Sequence, residues 1–261
     1  MSWLKKLSRH PEIVVSEEDG VRYLHLGGDH IQSAMRIDAP DDLELDYTRT
    51  MMAFLLFNPR PRDCLMVGLG GGSIPKFLFR RLTGVRTRVV ELNPAVITAA
   101  RALFNVPDDS ARLRVELGDG ASVVHAMQAG CDLLFVDGFD DGDQVPALVS
   151  DAFYAAAFHA LRPHGVLVLN FFGHDKRFER YLKRVEAAFG ECVICLNARE
   201  DGNIIVFALK GGPRSIAWDE LRRSAERLEQ KLGLPFPGYV SGLRKMNRWT
   251  RQVLLIAPES E

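Results

Sequence analysis

Long apolar runs are missing from this chain. No stretch approaches the roughly 18 apolar residues that a membrane span requires, and VLLIAP near the C-terminus is far too short. The opening MSWLKKLSRHPE carries two lysines but no apolar core, so no secretory signal is expected. Cysteine is scarce: Cys64, Cys131, Cys192 and Cys195, three of them inside apolar runs. Reduced thiols in a cytoplasmic protein are the expectation. Cys192 and Cys195 form a lone CxxC within ECVICLN, which reads as strand rather than as a metal-binding turn, and no HExxH or second cysteine pair accompanies it. No metal is expected. An excess of one charge is also lacking. Thirty-three Lys and Arg balance 34 Asp and Glu, for a net charge of −1, which gives no general pull toward nucleic acid or an anionic membrane.

What is present suits an ordinary globular protein: 261 residues, 47% hydrophobic and 26% charged. Residues 12–38 read as short strands, with a DG turn in EIVVSEEDGVRYLHL marking a hairpin and HIQSAMRID a third strand. DDLELDYTRTMMAFLLF has helical spacing behind an Asp-rich start suited to capping. From residue 64 strands and helices alternate. CLMVG, TRVVE, RLRVEL, CDLLFVD and GVLVLNFF are strands, and helices are expected at 74–82, from Pro94, at 121–129, 151–161 and 175–189. CVICLN and NIIVFALK form an antiparallel pair around AREDGN. Continuous apolar strands separated by helices imply an α/β fold, a doubly wound, mostly parallel seven-stranded sheet covered on both faces. The expected division is 1–57, a small N-terminal β segment and lead-in helix; 58–212, a Rossmann-like catalytic unit; and 213–261, an amphipathic helix over 216–232 and a tail.

The stretch VGLGGGSIPKFLFRRL, residues 67–82, turns from strand to helix through a glycine-dense corner. Gly68, Gly70, Gly71 and Gly72 permit a sharp turn and leave no Cβ between backbone and ligand, beside a helix N-terminus with unpaired N–H groups. A tight turn for helix–sheet packing is the plainer explanation, though four glycines exceed its needs. Glu91 ends the second strand, 21 residues beyond Gly70, where nucleotide-binding folds place an acid on ribose hydroxyls. Asp119 and Gly120, in LGDGAS, follow the third strand. Asp119 could accept from an adenine amine, or cap the next helix, or both. A nicotinamide enzyme would share these features. Against it, Ser73 replaces the third small residue of the dinucleotide fingerprint, and no second domain is evident.

After the fourth strand, VDGFDDGDQVPALVSDAFY gathers Asp137, Asp140, Asp141 and Asp143. Such a cluster is costly without cations; a hydrated loop, a magnesium site or an amine pocket would each answer it. Taken jointly, GLGGGS, VVELNPAVI, LGDGAS, VDGFD and VPALVSDAFY resemble the spermidine synthase family of polyamine aminopropyltransferases, over residues 20–210. The resemblance implies a homodimer that uses decarboxylated S-adenosylmethionine as co-substrate and a small amine as acceptor, with no tightly bound cofactor. Residue by residue it implies adenosyl binding by Glu91 and Asp119, catalysis by Asp137, and an amine channel lined by Asp140, Tyr47 and Gln32. Several positions depart from the family. Gly71 replaces an acid that grips the aminopropyl amine, Thr48 and Arg49 follow Tyr47 where a polar residue and a Glu are usual, and Gly138, Phe139 and Asp141 stand where small polar residues and a proline are preferred. Methyl transfer from S-adenosylmethionine, and an adenosyl-binding protein without catalysis, therefore remain open alternatives.

Overall fold

The computed structural model describes residues 12–28, 31–140, 143–200 and 202–257; the side chains of Phe139, Asp140 and Asp143 are outside the described set. β1 (Ile13–Glu18) and β2 (Val21–Leu26) meet across Asp19-Gly20, both at positive φ (49° and 77°), the backbone that a two-residue hairpin demands. β3 (Ile31–Arg36) pairs antiparallel with β2 and completes a three-stranded sheet. α1 (Asp46–Met51) follows and tightens into a 3-10 turn at Met52–Leu56. Its expected acidic cap is absent. Leu45 occupies the N-cap without a side-chain bond, and the Asp46 carboxylate instead accepts from the backbone N–H groups of Arg199 (2.6 Å) and Glu200 (3.3 Å).

The main sheet alternates as the sequence implies: β4 (Asp63–Val67), α2 (Ser73–Arg81), β5 (Arg86–Glu91), α3 (Pro94–Leu103), β6 (Leu113–Leu117), α4 (Gly120–Ala126) and β7 (Cys131–Val136). A small hairpin, β8 (Phe139–Asp140) and β9 (Asp143–Gln144), leads to α5 (Asp151–Ala160), β10 (Leu161–Phe172), α6 (Phe178–Phe189), β11 (Val193–Asn197) and β12 (Asn203–Leu209). The seven strands lie in the order β11-β12-β10-β7-β4-β5-β6, with β12 antiparallel to both neighbours and the rest parallel. This is the expected fold class. The chain steps outward from β4 to β6 and then returns to place β7 on the other side of β4. The carboxyl ends of β4 and β7 therefore form the switch point at which such sheets bind ligands.

Strand alternation divides the core. Cys64, Met66, Leu133, Phe135, Val166 and Val168 face one layer. Leu65, Val67, Leu134, Val136, Leu167 and Leu169 face the other. Period-two side-chain direction produces this split from runs that look uniformly apolar. α4 stops at Ala126, short of the expected 129, because Met127 turns extended (ψ 137°). α6 starts at Phe178, three residues after the expected start.

Beyond the main sheet, the described residues of the last stretch form further elements besides the expected helix. β13 (Ser215–Ala217) enters α7 (Trp218–Leu232), then α8 (Phe236–Leu243) and β14 (Val253–Leu255), which pairs back on β13. Phe236, Tyr239, Val240 and Leu243 have helical spacing and join the first core layer. The flanking prolines and glycines of LPFPGYVSG hide that spacing, since Pro is tolerated in a first turn. Asn247 then closes the exposed edge of β11. Its Oδ1 accepts from the Cys195 N–H (2.8 Å) and its Nδ2 donates to the Cys195 carbonyl (2.7 Å), in place of a neighbouring strand.

Asn247→Ala leaves both Cys195 backbone groups without that partner. A loss of about 1–3 kcal/mol is expected, read from the midpoint of chemical denaturation.

Candidate active site

At the end of β4 the backbone must pass through a space that no side chain could share. Gly68 has φ +93°, and a Cβ built there would lie 2.3 Å from the Asp137 carbonyl oxygen. The Asp137 N–H in turn donates to the Val67 carbonyl (3.1 Å). Gly70 (φ +54°) lies against β3, where a Cβ would be in ordinary contact with the Ser33 Cβ (3.7 Å) and the Gln32 carbonyl (3.8 Å). Gly72 (φ +72°) and Gly120 are packing positions. A Cβ would fall 2.2 Å from Val106 at the first and 2.4 Å from Val67 at the second.

Two carboxylates flank this corner. The Glu91 Oε2 accepts from the Leu69 N–H (2.8 Å) and its Oε1 from the Asn93 N–H (2.8 Å), so the acid at the end of β5 braces the glycine turn against the start of α3. Asp137 lies on the other side, half-buried at the end of β7. Its Oδ1 accepts from the Asn170 Nδ2 (3.0 Å) and its Oδ2 from the Tyr47 hydroxyl (3.3 Å). Burial pushes the Asp137 carboxyl above the usual carboxylate range, and the bonds from Asn170 and Tyr47 oppose that shift. Tyr47 also lies 3.4 Å from the Gln32 carbonyl, so Gln32 enters the site through its backbone. Asp119 caps α4, its Oδ1 accepting from the Ala121 (3.0 Å) and Ser122 (3.4 Å) N–H groups.

The departures at positions 48, 49 and 71 acquire physical causes. Thr48 is buried and its hydroxyl donates to the Leu45 carbonyl (2.6 Å). Arg49 stands two residues beyond Tyr47, and residues at that spacing point to different sides of a helix. Its guanidinium donates to the Glu44 carbonyl (2.9 Å) and pairs with Glu200 (2.8 Å), with Asp46 at 3.6 Å. The cation is thus engaged by the β11–β12 turn and not by Asp137. At Gly71 a Cβ would approach the Ser33 Oγ at 2.7 Å and a Phe104 ring carbon at 2.9 Å. Space, rather than chemistry alone, excludes an acid there.

The loop after β7 is seen in its backbone, where Asp140 pairs with Asp143 across the β8–β9 hairpin. The Asp140 side chain and Asp141 lie outside the described residues. Gln144 ends the hairpin, buried, its Nε2 donating to the Asn170 carbonyl (3.0 Å). Asn170 and Asn203 are site residues that sequence reasoning passed over. Both are buried, and the Asn203 Nδ2 donates to the Asn170 Oδ1 (2.7 Å). A signal existed: an amide stands inside VLVLNFF and another opens NIIVFAL, where core chemistry favours only apolar groups.

The family model described as the spermine/spermidine synthase domain matches residues 44–197. A polyamine aminopropyltransferase of Chromobacterium violaceum is 40% identical over 246 residues, covering 94% of each chain. A crystal structure of spermidine synthase in complex with the transition state analogue AdoDATO superposes with a TM-score of 0.67 at 19% identity, covering 88% of this chain and 84% of that one. Human methyltransferase-like protein 13 in complex with SAH gives 0.65 at 24% identity, covering 80% and 96%; these two likenesses show a shared fold. With its family domain matched across the glycine corner, both flanking carboxylates and Tyr47, the chain belongs to the spermine/spermidine synthase family.

Proposed function

We propose that this protein transfers the aminopropyl group of decarboxylated S-adenosylmethionine to a small amine such as putrescine, releasing methylthioadenosine. The observation that carries this reading is the pair of acids on adjacent residues of one glycine turn. Asp137 abuts Gly68 through its backbone, and Glu91 binds the N–H of Leu69. In this reading the first meets the reacting amine and the second the ribose hydroxyls. Membership of a family whose curated relative is named polyamine aminopropyltransferase supports the same conclusion.

In the proposed reaction the amine nitrogen attacks the methylene carbon beside the sulfonium. A C–N bond forms, the C–S bond breaks, and the sulfur leaves with its electron pair. The nucleophile must first be uncharged. For an alkylamine near the Lys reference of ~10.4, that costs about 4–5 kcal/mol at pH 7. Desolvation in the cleft lowers the amine pKa and removes part of this barrier. The raised carboxyl of Asp137 narrows the gap from the other side, so that it receives the proton as C–N bonding makes the nitrogen acidic. Tyr47 lies within reach of both the Asp137 Oδ2 and the Gln32 carbonyl. When Oδ2 takes the proton, the hydroxyl turns to donate to Gln32 and accepts from the new acid, leaving no orphaned group. Asp140 would hold the distant ammonium of a diamine in register, and Asp119 the adenine amine.

Position 71 favours a second reading. A glycine loop without an acid does not repel the carboxylate of ordinary S-adenosylmethionine, and methyl transfer would use the same Glu91. The reading also takes the protein as a cytoplasmic homodimer, its contacts supplied by the N-terminal sheet, where Val14 and Ile31 are exposed.

Incubation with either sulfonium donor plus putrescine, followed by mass detection, separates the two; an aminopropylated product is expected, and a methylated one would establish the alternative. Asp137→Asn should lower kcat by about 10²–10⁴ while leaving the circular-dichroism spectrum unchanged. In the native protein kcat/KM should fall toward acid with an apparent pKa above the ~3.9 of an ordinary Asp, because protonated Asp137 accepts nothing further, and the variant should lack that limb. At a hundredfold excess over Kd, methylthioadenosine should add about 2.7 kcal/mol to the stability, seen as a rise in melting temperature that Glu91→Ala abolishes.

A further inference from the structure

A row of side chains runs from β12 into the cleft. Asn203 pairs in register with Phe172, and Asn170 stands two residues earlier on β10, so the two amides share one face as diagonal neighbours. β10 also runs parallel to β7 with Leu169 opposite Val136, which sets Asn170 beside Asp137. The hydrogen bonds along the row all point one way. Asn203 Nδ2 donates to Asn170 Oδ1 (2.7 Å), and Asn170 Nδ2 donates to Asp137 Oδ1 (3.0 Å). Both asparagines are buried, 3% and 4% exposed, so each polar end needs a protein partner. Gln144 holds the backbone of the middle member through its carbonyl (3.0 Å).

An amide offers a donor at one end and an acceptor at the other, so such a row has two polarities. In the observed one, Asp137 meets an N–H donor, which suits a carboxylate. If both amides flipped, the Asn170 oxygen would face Asp137, which suits only a carboxylic acid. Resting on the reading of Asp137 as proton acceptor, we infer that Asn203 is a positioning residue which, through Asn170, fixes the polarity of this row. It thereby keeps Asp137 ionised at Oδ1 and reserves Oδ2 for the incoming proton. Oδ2 is the oxygen that faces Tyr47.

Among the described residues, the groups that meet this row from the packed elements are Tyr47 of α1, the Gln32 carbonyl of β3, the Gly68 backbone and Gln144 of β9. Tyr47 is the titratable one among them. No charged side chain of the described residues figures among the influences on Asp137, whose shift comes from burial against the Asn170 and Tyr47 bonds. Among the described residues, the state of Asp137 is therefore set first by burial and then by the direction of neutral dipoles.

Asn203→Asp puts an acceptor where the row begins with a donor. Asn170 must then turn its Nδ2 to position 203 and its oxygen to Asp137. The expected result is a rise of about one pH unit or more in the Asp137 pKa, read by carboxyl ¹³C NMR of the free protein, with an equal shift in the acid limb of kcat/KM. Asn203→Ala, which removes the donor without adding charge, should give a smaller shift of the same sign and covers the case in which the first variant does not fold. An unchanged Asp137 titration in a folded variant overturns the inference. A native protein without transferase activity whose Asp137 titration still shifts in the variant would overturn the reading of the reaction but leave the row's polarity standing.

Discussion

One backbone contact organises the cleft: the carbonyl of Asp137 occupies the place where residue 68 would carry a side chain. That contact exists because β4 and β7 are neighbours in the sheet although they are far apart in the chain. It brings the turn after one strand against the turn after the other, with Gly68 as the residue that permits it. Everything else in the site is arranged around this junction. Glu91 braces the turn from the β5 side through the Leu69 N–H. Asn170 and Tyr47 hold the Asp137 carboxylate from β10 and α1. A substitution at position 68 would therefore displace the end of β7 itself, and not the glycine turn alone.

The N-terminal segment completes the cleft by covering it. β3 crosses above the glycine corner, with Ser33 within 3.4 Å of Ser73 and the Gln32 carbonyl over Gly70. The same close approach fills the space beside Gly71, so the absent acid and the tightly seated β3 are one feature seen from two sides. α1 is fixed in a similar way. Asp46 and Arg49 tie it to the β11–β12 turn through the Arg199 and Glu200 backbone N–H groups and the Glu200 carboxylate. Tyr47 projects between them toward Asp137. The charges on either side of Tyr47 thus serve to hold the helix that carries the hydroxyl.

Much of this was legible beforehand where a pattern is local. The strand–helix alternation, the DG hairpin and the acid at the end of the second strand each depend on residues close together in sequence. So did the cap formed by Asp119. The missed features share a different property. Asn170 and Asn203 are single amides in apolar strands, and their meaning depends on register between β10 and β12. α8 is hidden by prolines whose harmlessness depends on where the helix starts. The acid-rich approach to α1 offered good capping chemistry, but Asp46 found stronger use across the molecule on the backbone of residues 199 and 200.

The sequence by itself determined the class of sheet, the glycine corner, the identities of the acids at the strand ends and the family to which they point. Those follow from periodicity and from residues adjacent in the chain. Only the tertiary structure decided which groups meet: that Asp137 is bonded by Asn170 and Tyr47, that Arg49 is engaged elsewhere, and that position 71 has no room for an acid. Such outcomes turn on strand order and register, which bring together atoms separated by tens of residues. No local pattern encodes the direction of a buried hydrogen bond, because an amide side chain takes its polarity from its neighbours in space.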